Sequence, residues 1–110
     1  MKRYCLALDL KDEAHLIAAY EEYHKKVWPE ILQSIRDSGI TQMEIYRTGN
    51  RLFMIMETSD GFSFDAKGQA DAANPKVQEW EKLMWTYQQA IPWAKPGEKW
   101  VRMEPIFSLA

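Results

Sequence analysis

Two histidines, His15 and His24, are the side chains in this chain whose ordinary pKa suits proton exchange near neutrality. His15 falls in the first turn of a predicted helix among charged residues, and its reading is a solvated surface group. His24 follows Tyr20 by four residues and precedes Trp28 by four. At about 100° per residue, Tyr20 and His24 share a helix face, with Trp28 beyond a predicted kink. The plain reading of that spacing is an amphipathic face with a hydrogen-bonded, inert histidine. The sharper reading is general acid–base chemistry beside a phenol. Trp80-Glu81-Lys82-Leu83-Met84-Trp85 sets an aromatic surface next to a carboxylate, although the same run also reads as core periodicity with Glu81 and Lys82 in solvent. Glu44 and Glu57 lie in otherwise apolar strands, where a carboxylate needs water, a cation or a ligand. Alternation turns Glu44 outward. Glu57 shares a side with Phe53 and Ile55, with Arg51, Lys99 and Arg102 as its alternative ion-pair partners.

No phosphate-cradling glycine loop, nucleophile elbow or histidine pair at metal-ligand spacing occurs. A single cysteine, Cys5, excludes an internal disulfide framework and a multi-cysteine metal site. Within a strand it reads as a packed thiol. Metal, nucleotide and covalent-nucleophile enzymes are thereby disfavoured. What remains is a cofactor-free acid–base enzyme or a binder of small ligands.

The elements that must position these groups follow from periodicity. Arg3 to Leu10 alternates, with Tyr4, Leu6, Leu8 and Leu10 on one face, and predicts a strand. Lys11-Asp12-Glu13 supplies a cap and an acidic first turn for a helix to about Lys26. Pro29 opens a second helical piece to Ser38, predicted to bury Ile31, Leu32 and Ile35, and Gly39 stops it. Strands over 41–47 and 51–58 are joined through Thr48-Gly49-Asn50, where the Gly-Asn pair is expected to supply positive φ. Residues 62–73 read as weakly helical because Gly68 lies inside. Asn74-Pro75 starts a helix whose broad face carries Val77, Trp80, Leu83, Met84, Tyr87 and Ile91. After a loop from Pro92 to Gly97, a last strand runs from Glu98 to about Ser108, disturbed at Pro105.

The order is βαββαβ, an α+β ferredoxin-like arrangement with one four-stranded antiparallel sheet and both helices on one face. The other face would leave some of Leu52, Met54, Met56, Val101 and Met103 exposed, so a homodimer with a partner sheet as cover is predicted. The 110 residues fit one domain, 1–110, and 46% hydrophobic residues suffice for one core. A formal charge of −2 argues against nucleic acid as a partner. No apolar stretch approaches the roughly 18 residues that span a membrane, and no apolar block follows Lys2-Arg3 as a signal peptide requires. With one lone thiol, a soluble cytoplasmic protein is expected. The aromatic load, with five Trp in the chain, demands a bulky core, a large interface or an aromatic pocket.

Tyr20-Glu21-Glu22-Tyr23-His24 followed by Val27-Trp28-Pro29-Glu30 resembles the L-rhamnose mutarotase family. Met43-Glu44-Ile45-Tyr46, Asn50 to Glu57 and Trp80 to Met84 resemble it as well, so the likeness covers nearly the whole chain. The resemblance implies a small dimeric α/β barrel of ferredoxin-like fold that interconverts the α and β anomers of L-rhamnose with neither metal nor organic cofactor. It implies His24 as proton donor and Tyr20 as a sugar-binding tyrosine. The family's paired tryptophans look like Trp80 followed by Glu81, and a second sugar-binding tyrosine aligns with Met43. Trp80 would stack on the sugar, Glu81 would bind a hydroxyl, Glu57 or Glu81 would serve as second base, and Trp28 would support the site. Met43 to Tyr46 and Pro96 to Trp100 look like a branch sometimes assigned to L-fucose, the alternative to L-rhamnose. Rivals of other classes are a cofactor-free monooxygenase-like enzyme and a non-catalytic sugar-binding dimer.

Overall fold

The protein is described by a computed structural model covering residues 1–109. Strand β1 (Lys2–Leu10) is followed by helices α1 (Ala14–Lys25) and α2 (Pro29–Asp37), then by β2 (Ile40–Thr48) and β3 (Arg51–Thr58). Helices α3 (Phe64–Ala72) and α4 (Pro75–Trp85) precede two short strands, β4 (Gln88–Gln89) and β5 (Val101–Arg102). The sheet is antiparallel in the order β2-β3-β1-β4, with β5 also paired to β1. This is the ferredoxin-like order, with the fourth strand delivered in two pieces beside the first.

The period of two in β1 and β3 decides which face meets the helices. Leu6, Leu8, Leu10, Leu52, Met54 and Met56 all point to the helix side and are buried. Leu52, Met54 and Met56 are therefore core residues, a correction to their expected exposure on the open face. The face turned away from the helices carries Cys5, Ala7, Tyr46, Phe53, Ile55 and Val101, as the register pairs Cys5 with Ile55, and Ala7 with both Phe53 and Val101. At its edge Asp9 is buried and takes a paired hydrogen bond from Arg51, with Nε at 2.8 Å and Nη2 at 3.1 Å.

Local chemistry sets the ends of the elements. Helix α1 begins at Ala14, after Glu13, whose extended backbone caps it without a side-chain bond; no acidic residue lies in the first turn, contrary to expectation. Leu32 stays partly exposed on α2, while Ile31 is buried. Despite Gly68, α3 is helical, because the Ser63 hydroxyl accepts from the Ala66 amide at 3.2 Å and Lys67 pairs with Asp71 at 2.6 Å one turn on. Asn74 caps α4 by accepting from the amides of Lys76 and Val77. That helix stops at Trp85, short of Ile91, since Tyr87 accepts from the Lys11 amide at 2.8 Å and Gln88–Gln89 join the ladder beside Asp9 and Leu10. The last strand is also shorter than the alternation predicts. Met103 donates to Cys5 at 2.8 Å, and Pro105 then has no N–H to continue the ladder.

Two glycines are required by backbone geometry. Gly49 takes φ 56° at the first central position of the β2–β3 hairpin. Asn50 does not share that positive φ, contrary to expectation. It ties the turn to β1, with its carbonyl accepting from the Leu10 amide and its side-chain amide donating to the Leu10 carbonyl at 3.0 Å. Gly39 joins α2 to β2 at φ 98°, and a Cβ there would lie 2.8 Å from the Ser59 hydroxyl. Gly39→Ala should destabilise the protein by about 1–3 kcal/mol. Removing the hydroxyl in Gly39→Ala/Ser59→Ala should restore only part of that, since the backbone strain remains. Chemical denaturation checks this; an unchanged Gly39→Ala midpoint would refute the strain.

Candidate active site

The helix layer does not seal against the whole sheet. A cavity of about 760 Å³ runs between them, within the range of small-molecule sites of roughly 300–1,000 Å³. Its lining includes Tyr20, His24, Trp80, Glu81, Gln88 and Trp100. The sheet floor is apolar, formed by Leu6, Met43, Ile45, Met54 and Met56.

Tyr20 and His24 reach this lining from the last two turns of α1. Their rings lie 4.3 Å apart between centroids. His24 Nδ1 is 2.8 Å from the Tyr20 carbonyl oxygen. A carbonyl only accepts, so Nδ1 carries the hydrogen and neutral His24 keeps its lone pair on Nε2. Burial lowers the His24 pKa below the ordinary 6.5, and the bond to the carbonyl opposes part of that shift. At neutral pH the imidazole is therefore uncharged and able to accept a proton at Nε2. The Tyr20 phenol behaves in the opposite sense. Its burial pushes the pKa up to about 12, against a smaller lowering by the bond from Gln88, so it remains a protonated hydrogen-bond donor.

Trp80 holds His24 in place. The indole is buried, its ring 5.8 Å from the His24 imidazole and edge-on to it. Trp28 packs edge-on against Trp80 from behind at 5.0 Å, and Tyr23 does so at 6.2 Å. Trp28 is the residue that caps α2, after the break that Pro29 imposes. It supports the site through Trp80 and does not line the cavity wall.

The structure brings Tyr20, His24 and Trp80 into contact, places Glu81 on the same cavity, and separates Glu57 from them. Glu57 lies on the sheet face away from the helices, where Arg3 Nη2 pairs with it at 3.2 Å. The cause is alternation: β3 sends Met54, Met56 and Thr58 toward the helices and its odd-numbered residues the other way. Glu57 is therefore no base for His24, a correction to its expected role. Glu44 faces the same side and accepts from the Tyr46 hydroxyl at 2.5 Å. His15 is exposed, as expected.

Two contributors escape sequence reasoning. Gln88, buried and bonded to the Tyr20 hydroxyl, falls in what reads as the solvated side of a helix continuing to Ile91. Lys99 reaches the cavity because residues 90–100 leave the sheet between β4 and β5 and return beside it. Its ammonium also stands 5.2 Å from the Trp85 ring. A polar Gln-Gln pair directly after an amphipathic helix is the one signal that points to Gln88. Among the remaining tryptophans, Trp100 lines the cavity, whereas Trp93 is exposed beneath Arg51.

Comparison with known proteins identifies relatives of this chain. A family model described as L-rhamnose mutarotase matches residues 3–109. The chain is 46% identical to an L-fucose mutarotase of Xanthomonas campestris pv. campestris, over 100% of this chain and 90% of the relative. It is 30% identical to an L-rhamnose mutarotase of Formosa agariphila over 93% of this chain and 94% of that one. The crystal structure of an L-rhamnose mutarotase from Formosa agariphila superposes with a TM-score of 0.74 over the full length of both chains at 23% identity, a likeness of fold. From its third residue to the end of the described chain, then, this protein belongs to the L-rhamnose mutarotase family of carbohydrate isomerases.

Proposed function

We propose that this protein exchanges the α and β anomers of a 6-deoxy-hexose by general acid–base ring opening, with L-fucose as the preferred sugar. The observation that carries this is a single near-neutral proton-transfer group, with one ring nitrogen free, in the cavity of a chain that matches this family end to end. The sequence resemblance alone favours L-rhamnose. The higher identity to an L-fucose mutarotase than to an L-rhamnose mutarotase tips the reading toward L-fucose. Both sugars carry a methyl at C6, which suits the apolar floor of Met43, Ile45 and Met54.

In the mechanism, His24 Nε2 takes the anomeric hydroxyl proton. The C1–O5 bond breaks as the C1=O double bond forms, and the electron pair goes to O5. The imidazolium then gives its proton to O5, leaving the open aldehyde and a neutral histidine. Rotation about C1–C2 and the reverse steps yield the other anomer. Both oxygens are bonded to C1, so one nitrogen can serve both. His24 thus acts as base and acid in turn, which refines its expected role as donor. Tyr20, held protonated, donates to a sugar hydroxyl; Glu81 accepts one; Trp80 supplies the aromatic wall.

A homodimer belongs to the same proposal. Support comes from the sheet face bearing Phe53, Ile55 and Val101, which no helix covers, and from Ile106, Phe107 and Leu109, which are 96%, 80% and 88% exposed. A second copy covers both. Among the described residues no helix is long and apolar enough to cross a membrane, and the free Cys5 supports a reducing, cytoplasmic setting.

Three measurements test these readings. Magnetisation transfer between the anomeric protons of L-fucose, and separately of L-rhamnose, should show enzyme-dependent exchange that falls by about 10²–10⁴-fold in His24→Gln. Wild type leaving both sugars at the spontaneous rate would sink the mutarotase reading, and a fully active His24→Gln would remove His24 from it. After subtraction of spontaneous exchange, kcat/KM should decline on the acid side with a midpoint below 6.5, because burial keeps Nε2 unprotonated there. A midpoint above that value contradicts the burial argument. Sedimentation at micromolar concentration should give the mass of a dimer, and Ile55→Lys should shift it to monomer. A monomeric wild type would refute the covered-face argument.

A further inference from the structure

We infer that Gln88 determines which sugar hydroxyl pattern the site accepts, by fixing Tyr20 as a donor and presenting its own amide oxygen as the adjacent acceptor. This rests on the mutarotase reading above and goes beyond it, by adding a group that reads the substrate but moves no proton.

The geometry is specific. Gln88 lies on β4 opposite Leu10, on the helix side of the sheet, and is only 6% exposed. The Lys11 amide bond to the Tyr87 carbonyl, at 2.8 Å, anchors the chain one residue before it. From there its Nε2 donates to the Tyr20 hydroxyl oxygen at 3.2 Å. A phenol has one hydrogen to give. Since its oxygen is engaged as an acceptor, and it donates to no protein group among the described residues, its O–H is left for a ligand. Burial reinforces this by holding the phenol protonated. The amide oxygen of Gln88 is not used by Tyr20, and no buried side-chain polar atom among the described residues lacks a partner. That oxygen is therefore not sealed in protein, and it opens on the cavity that Gln88 lines. Tyr20 O–H and Gln88 Oε1 form a neighbouring donor and acceptor in a cavity that His24 and Glu81 also line. A site built in this way discriminates by hydroxyl placement, because a sugar lacking the matching group leaves buried polar atoms unpaired. L-Fucose and L-rhamnose differ in the configuration of their C2 and C4 hydroxyls, and that is the kind of difference such a pair can read.

Gln88→Met conserves volume and removes both polar atoms. Gln88→Glu keeps the shape and turns the Tyr20 hydrogen inward to a carboxylate. Both variants, checked for folding by circular dichroism, should raise the KM for L-fucose about tenfold or more with kcat within about threefold. The ratio of kcat/KM for L-fucose to that for L-rhamnose should change by a similar factor. A residue with only a packing role would leave that ratio unaltered. If wild type exchanges anomers and either folded variant keeps the wild-type KM and ratio, the Gln88 assignment fails while the mutarotase reading stands. If wild type exchanges neither sugar, that reading fails, and quenching of tryptophan fluorescence by each sugar judges Gln88 instead. Weaker quenching in the variants supports it; equal affinity, or no binding by wild type, overturns it.

Discussion

One-sided burial of the sheet is the constraint from which the rest follows. Leu6, Leu8 and Leu10 of β1 and Leu52, Met54 and Met56 of β3 bury their side chains against one helix layer. Each of these side chains contributes on the order of 1.5–3 kcal/mol by leaving water, so a register slip that turned them outward would forfeit the core. The same alternation sends every other residue to a face no helix touches. That is why Asp9 meets Arg51, Glu57 meets Arg3, and Phe53 and Ile55 remain only half-buried. The cavity lies on the buried side because the helices come in short, broken pieces. A proline at the start of α2 and another at the start of α4 prevent either pair from packing as one straight rod.

Within that seam, burial and hydrogen bonding set the proton chemistry in opposite directions for neighbouring groups. An imidazole among aromatic rings loses the hydration that would stabilise its cation, so His24 is biased toward its neutral form. The Tyr20 carbonyl assigns the tautomer, and Trp80, backed by Trp28 and Tyr23, restricts where the ring can turn. Tyr20 experiences the same desolvation, but its charged form is an anion, so it is driven the other way and keeps its proton. One environment thereby makes an acceptor of the imidazole and a donor of the phenol. Mutarotation suits such a site. It creates no lasting charge and needs no strong nucleophile, only a group that can receive a proton and return it.

Much of this was legible from residue order. The alternation of Arg3 to Leu10, the 51–58 strand and the hairpin glycine all appear in the structure close to where periodicity puts them. Tyr20 and His24 share a face because four residues make about one helical turn. The illegible parts are those where a distant strand competes with a local pattern. Helical spacing continues past Trp85 toward Ile91, yet the chain there has a better option, since the free edge of β1 offers hydrogen bonds to Gln88 and Gln89. That capture is long-range and leaves only the polar Gln88-Gln89 pair as a local mark, so Gln88 goes unnoticed. Glu57 illustrates the converse. Its period is readable, but which face of a strand the helices will cover depends on the whole sheet.

The sequence by itself determined the element order, the scarcity of proton-transfer groups that singles out His24, and its alignment with Tyr20, because each depends on composition or on spacing within one helix. Only the tertiary structure decided that Glu81, Gln88 and Trp100 meet them in one cavity, that Glu57 does not, and that Nε2 is the free nitrogen. Those outcomes depend on which sheet face is buried and on contacts between residues as far apart as Tyr20 and Gln88. They are products of long-range packing, which no short-range pattern encodes.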